Sequence, residues 1–204
     1  MTIPPAGFTL RVPESWYEFD VWRATRTGDL ARMVDARTAE TPELLPLRGA
    51  LLKLLREVAA DAERQGALFC AAMVDQVEDH GVLVASVIVF QTEGSPDPAE
   101  NTVDAIAGQV TAFSPADSSP TWRRVEIVQI PAGRAVRIAG VETADLGDHP
   151  PVECAVMQTL IPVPEGPGVL NVVLTSPLVE LADSMLELFS AISETLAWSS
   201  VAVG

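Results

Sequence analysis

The sequence predicts an α+β protein, a single antiparallel sheet of about seven strands with helices on both faces, an α/β/α sandwich. Three observations carry this reading. Segments with a period of two alternate with segments of helical period. The strand-like segments come in pairs joined by short turns, which makes neighbours antiparallel. One segment, Val82 to Phe90, is apolar on both faces and so needs cover on both sides.

Taken in order, Phe8, Leu10 and Val12 alternate with Thr9 and Arg11 as a short strand that Pro13 ends, and Trp16 to Trp22 reads as a second extended segment. Thr27 is placed to cap a helix from Gly28, with Asp29 in its first turn and Leu30, Met33, Val34 and Arg37 on one face. The Thr41-Pro42 step breaks it. A second helix is expected from Leu44 to Gln65, with Leu47, Leu51, Leu54, Leu55, Val58 and Ala62 as its stripe and Gly66 as its stop. Strands Leu68 to Val77 and Val82 to Phe90 flank the turn Glu78-Asp79-His80-Gly81.

After a polar loop, Asp97-Pro98-Ala99-Glu100 has the form of a capping box, opening a helix with the stripe Val103, Ile106, Val110 and Phe113. Ser114 to Pro120 is read as a loop. Two more hairpins follow. Trp122 to Ile130 and Ala135 to Val141 surround Pro131-Ala132-Gly133, and Val152 to Val163 and Val169 to Thr175 surround Pro164 to Gly168. A loop, Glu142 to Pro151, joins them. Ser176-Pro177 starts the last helix, which carries Leu178, Leu181, Met185, Leu188, Phe189, Ile192 and Leu196 along one side. No stretch has linker composition and no repeat of fixed period occurs, so residues 1–204 are expected to form one domain.

The two ends together resemble PsbP-like domains. Gly7-Phe8-Thr9-Leu10-Arg11-Val12-Pro13-Glu14-Ser15-Trp16 is similar to the F-x-L-x-x-P-x-x-W opening of that superfamily. Strand Val169 to Thr175, the Ser-Pro turn and a helix ending in Phe189-Ser190-Ala191-Ile192 and Leu196-Ala197-Trp198 resemble its close. Pro131 to Arg137 is similar to a segment in its uncharacterised actinobacterial branch. The resemblance implies the same α/β/α sandwich and a non-enzymatic habit of docking to larger assemblies. It transfers no site residue, because the superfamily has no common site motif.

Charge excludes some partners. The net charge is −15, and it is uneven. Residues 1–66 hold 9 basic and 10 acidic residues, whereas residues 67–204 hold 4 and 18. Without a basic stripe, neither nucleic acid nor an anionic membrane is an expected partner. Met1 to Leu10 lacks the basic-then-apolar order of a leader, and the longest apolar run, Val82 to Phe90, is too short to span a bilayer. The expected location is cytoplasmic.

Catalytic residue types are scarce. Lys53 is the only lysine, so Schiff-base, P-loop and Ser–Lys chemistry would all need it. His80 and His149 each follow an Asp in a turn or loop, and no Gly-x-Ser-x-Gly elbow is present. Cys70 and Cys154, 84 positions apart, have no zinc spacing and read as small buried hydrophobes, with a disulfide or shared metal possible only if their strands pair. Asp75, Glu78, Asp79 and His80 cluster at one turn without EF-hand spacing, and Asp145 and Asp148 read as solvated loop residues. Gly166-Pro167-Gly168 joins two strands, which is not the setting of a dinucleotide loop.

No catalytic, cofactor-binding or metal residue is therefore assigned, and no cofactor is expected. Tryptophans 16, 22, 122 and 198 sit at element ends, where packing is the default. An exposed Trp22 or Trp122 beside Arg23, Arg123 or Arg124 would mark a partner-binding face. The expected function is a non-catalytic protein-binding or adaptor domain. The alternatives are a chaperone or accessory factor of a bacterial secretion or contractile-injection system, and a small-molecule-binding protein or enzyme with an unrecognised site, which a deep pocket between sheet and helices would favour.

Overall fold

A computed structural model of the chain describes residues 7–112, 123–144, 151–164 and 166–199. Strand β2 (Tyr17–Glu18), β3 (Phe69–Val77), β4 (Gly81–Thr92), β5 (Arg123–Ile130), β6 (Gly133–Ala144), β7 (Val152–Pro162) and β8 (Val169–Ser176) form one sheet in the order β2-β3-β4-β8-β7-β6-β5. Every neighbouring pair is antiparallel. The expected α+β class is therefore the observed one.

The pleat sorts each strand into two faces. On one, Met73, Val87, Ala135, Met157, Val172 and Leu174 join Met185, Phe189 and Ile192 of helix α4 (Ala182–Ser193) in a single core. On the other, Cys70, Ala72 and Val74 pack against Leu30 and Val34 of α1 (Arg26–Glu40) and Leu51 and Leu55 of α2 (Arg48–Arg64). Farther along that face, Val136 and Ile138 meet Val103 and Ile106 of α3 (Val103–Ala112). Strand β4 contributes Val87 to one side and Val84 to the other, which is why it is apolar throughout and lies inside the sheet.

The turns obey the backbone chemistry of the sequence. Asp79 and Gly81 both take positive φ in the β3–β4 turn, and Gly66 takes a φ of +73° where α2 ends.

Several boundaries differ from the sequence expectation. Thr27 does not cap the first helix. The helix starts at Arg26, and the Thr25 hydroxyl donates to Asp29 at 2.9 Å. The second helix is broken into a 3₁₀ segment, Pro42–Leu47, and α2, because Pro46 has no N–H to give. Leu47 is consequently exposed. Asp97-Pro98 opens only a 3₁₀ turn, Pro98–Asn101. The cap of α3 is Thr102, whose hydroxyl accepts from the Ala105 N–H, while Glu100 accepts from Ser95. Ser176 likewise receives the Leu178 N–H and starts a 3₁₀ turn, Val179–Leu181, before α4 begins.

The largest difference is at the ends. The opening strand is β1 (Gly7–Thr9), and it stays outside the main sheet. It pairs with β9 (Ala197–Ser199), a strand where the last helix was expected to continue. Strand β6 runs to Ala144, beyond its expected end. Phe113, the loop Ser114 to Pro120 and Trp122 lie outside the described residues. Among the described residues, no helix is long and apolar enough to cross a membrane.

Candidate functional site

Two regions stand out, at opposite ends of the strand order. The first forms where α2 hands over to β3. Gly66 turns the chain, the Leu68 N–H donates to the Val89 carbonyl at 2.7 Å, and the Leu68 side chain is left 55% exposed. The segment after β2 comes back beside it. The Trp22 N–H donates to Asp20 at 2.8 Å, and the Trp22 indole Nε1–H donates to the Ala67 carbonyl at 2.8 Å. Trp22 is 60% exposed, and Arg23 beside it stands out into solvent. This meets the sequence criterion for a partner-binding candidate.

The face has relief. A cleft of about 340 Å³ is lined by Glu18, Asp20, Trp22, Arg23 and Leu68. A second of about 530 Å³ is lined by Phe8, Leu10, Gln91, Leu170 and Trp198. Leu68 and Phe69 line both, so the two clefts adjoin. An ordered aromatic ring, an exposed leucine and a mixed-charge rim are the components of a protein-docking surface.

The second region lies between β5–β7 and α4. Arg137 of β6 is on the α4 side of the sheet and is only 5% exposed. Its strand neighbours on that face are Ala135 and Ala139, whose small side chains leave room for it. Its guanidinium donates to the Ser190 hydroxyl at 2.7 Å, to the Ser193 hydroxyl at 3.1 Å and to Glu194 at 3.3 Å, all at the end of α4. Glu126 is 3.9 Å away. Its Nε is buried without a hydrogen-bond partner, and so is the hydroxyl of Thr159, which stands opposite Arg137 in the β6–β7 register. A cleft of about 390 Å³ opens here, lined by Arg124, Glu126 and Arg137 from the strands and by Asp183, Glu187 and Ser190 from the helix. The sequence showed Arg137 only as part of a strand. The legible signal was small residues at i±2 on its own face.

The other candidates are dispersed. His80 bonds Glu180 at 3.0 Å rather than gathering the acids of its turn, and Asp75 pairs with Arg37 at 3.2 Å. Cys70 lies on β3 and Cys154 on β7, with β4 and β8 between them, so both thiols are free. Burial, reinforced by the charge of Asp20, pushes the Cys70 thiol up to about 12, and burial raises that of Cys154 as well. Among the described residues, no group of three His, Cys, Asp or Glu is placed to hold a metal. His149, Asp145 and Asp148 lie outside the described residues. Gly168 lies against the flexible Gln91 side chain. Trp16 is buried, and Trp198 donates to the Ala132 carbonyl at 2.8 Å.

No protein-family model matches the sequence, and no curated protein matches it. Among solved structures, the chain is similar to that of LpqN, involved in cell envelope biogenesis of Mycobacterium tuberculosis. The TM-score is 0.49 at 11% identity, over 95% of this chain and 86% of that one.

Proposed function

We propose that this chain is a non-catalytic protein-binding domain that docks a partner through the face around Trp22 and Leu68. The observation that carries the reading is the exposed Trp22 ring, held by its bond to Ala67 where two adjoining clefts share Leu68. A ring fixed before binding loses little freedom on binding, which is how aromatic anchors gain their affinity. Glu18 and Asp20 in the first cleft, and a net charge of −15, favour a partner segment with an apolar anchor flanked by basic residues. The two free thiols suit a reducing compartment, and the proposed place of action is the cytoplasm.

The test compares capture by the immobilised wild-type chain with capture by Trp22→Ala and Leu68→Asp at low salt. The wild type retains a partner that both variants lose, and added salt weakens the capture. Identical capture by all three proteins, or none by the wild type, defeats the reading. Recovery of the protein in the cell-envelope fraction overturns the assigned compartment.

A further inference from the structure

We propose that the open edge of β5 is an interface between two copies of this chain, on which a second copy adds its own β5 antiparallel across a two-fold axis at Val125. The edge lies at the opposite end of the strand order from the Trp22 face and does not depend on that reading.

Strand β5 ends the sheet, and among the described residues only β6 pairs with it. Ile130 and Gly133 face each other across a two-residue turn, so they exchange both backbone bonds. By alternation, Arg124, Glu126 and Val128 also turn their backbone polar groups toward β6. Arg123, Val125, Ile127 and Gln129 turn theirs outward. The pairing with β6 runs without a bulge, and no proline interrupts the strand. The other end of the sheet differs. There Arg37 donates to the Val74 carbonyl, and Asp75 accepts from the Gln76 N–H. The β5 edge has no such guard among the described residues, and it leaves Ile127 exposed.

Charge selects a second copy as the occupant. All the basic residues of 67–204, namely Arg123, Arg124, Arg134 and Arg137, lie in β5 and β6. Two acidic chains therefore repel least where these strands meet. Hydrogen bonding sets outward residues against outward residues, so the axis must pass through a residue. With Val125 on the axis, Arg124 of each copy lies across from Glu126 of the other. These are non-hydrogen-bonded positions, where side chains come closest. Arg124 and Glu126 already pair at 3.5 Å within one chain, so the four charges alternate in sign. An axis at Arg124 or at Glu126 would set like charges face to face. An axis at Ile127 would set Arg124 against Ile130 and Glu126 against Val128. On the opposite face of the ribbon, Val125 packs on the α3 core and meets its own copy, while Ile127 lies under the stem of the facing Arg123.

The test is sedimentation equilibrium of the full-length chain at about 0.15 M salt, where long-range repulsion is screened. The wild type is expected to approach twice its monomer mass as its concentration rises to about 1 mM. Arg124→Glu and Ile127→Lys change exposed positions, and circular dichroism verifies their fold. Each is expected to dimerise at least about tenfold more weakly. Oxidation in a Cys70→Ala/Cys154→Ala background reads the register. Val125→Cys cross-links, because its two copies face each other within disulfide reach, and Ile127→Cys does not. A wild type that stays monomeric at about 1 mM overturns the proposal. So do variants that dimerise like the wild type, or cross-linking of Ile127→Cys in place of Val125→Cys. Trp22→Ala dimerises like the wild type, so failure here and failure of the docking face are distinguishable.

Discussion

The Trp22 indole donates its hydrogen to the Ala67 carbonyl at 2.8 Å, tying the segment after β2 to the residue before Leu68. Trp22→Phe keeps an aromatic ring but removes the donor. Its carbonyl partner sits beside a solvent-open cleft, so stability falls by only about 0.5–1 kcal/mol. Urea unfolding measures that small loss. Partner capture falls more than stability does, because the ring is no longer oriented.

The outer edge of the sheet at β3 is guarded by a side chain. The Arg37 Nε donates to the Val74 carbonyl at 2.7 Å, while its terminal nitrogens pair with Glu40 at 3.0 Å and Asp75 at 3.2 Å. Strand β2 is too short to cover this stretch, since it pairs only with Ala71 and Ala72. Arg37→Ala therefore bares a strand edge, and light scattering at high protein concentration is expected to show more self-association than in the wild type. Unchanged scattering would show that the edge needs no guard.

Arg137→Ala removes the shared partner of Ser190, Ser193 and Glu194 and leaves a cavity beneath α4. The expected loss is about 3 kcal/mol. Arg137→Met fills much of the space and removes the unpartnered Nε, so it loses roughly half as much. Denaturant midpoints of the two variants rank Met above Ala. The reverse ranking would mean that packing is not what Arg137 supplies.

Cys70 gives stability a pH dependence on the alkaline side. Its folded pKa, about 12, lies above the ordinary 9.0, so the folded chain keeps a proton that the unfolded chain gives up. The contribution is fully present below pH 9 and is lost as pH rises from there toward 12. Cys70→Ala flattens this part of the urea-midpoint profile relative to the wild type. The same protonation makes the native thiol slow toward alkylating reagents near pH 8, and unfolding releases it.

Legibility followed the range of the forces involved. Strand β4 declared its interior position because both faces are apolar, and Gly66 marked the end of α2 because few residues accept a positive φ. Strand β9 was hidden. Leu196 continues the apolar period of α4, and Ala197-Trp198-Ser199 becomes a strand only because Gly7-Phe8-Thr9 lies alongside it. The 3₁₀ starts were hidden too, since a Ser-Pro or Asp-Pro step opens either kind of helix. Of the candidate sites, exposure of Trp22 could be posed only as a condition. Exposure is decided by which neighbours arrive, and here Ala67 arrives while Trp22 stays 60% exposed.

The pairing of β1 with β9 bears on the order of folding. Thr9 and Ala197 are 188 positions apart, so closing this ladder before the main sheet exists would cost nearly the full entropy of looping the chain. Three residue pairs and the two bonds between Arg11 and Thr195 reward that closure. The ladder is therefore expected to zip last, onto a sheet that has already brought its two halves together. On unfolding it is expected to fray first, taking with it the Trp198 anchor on Ala132 and the wall of the larger cleft.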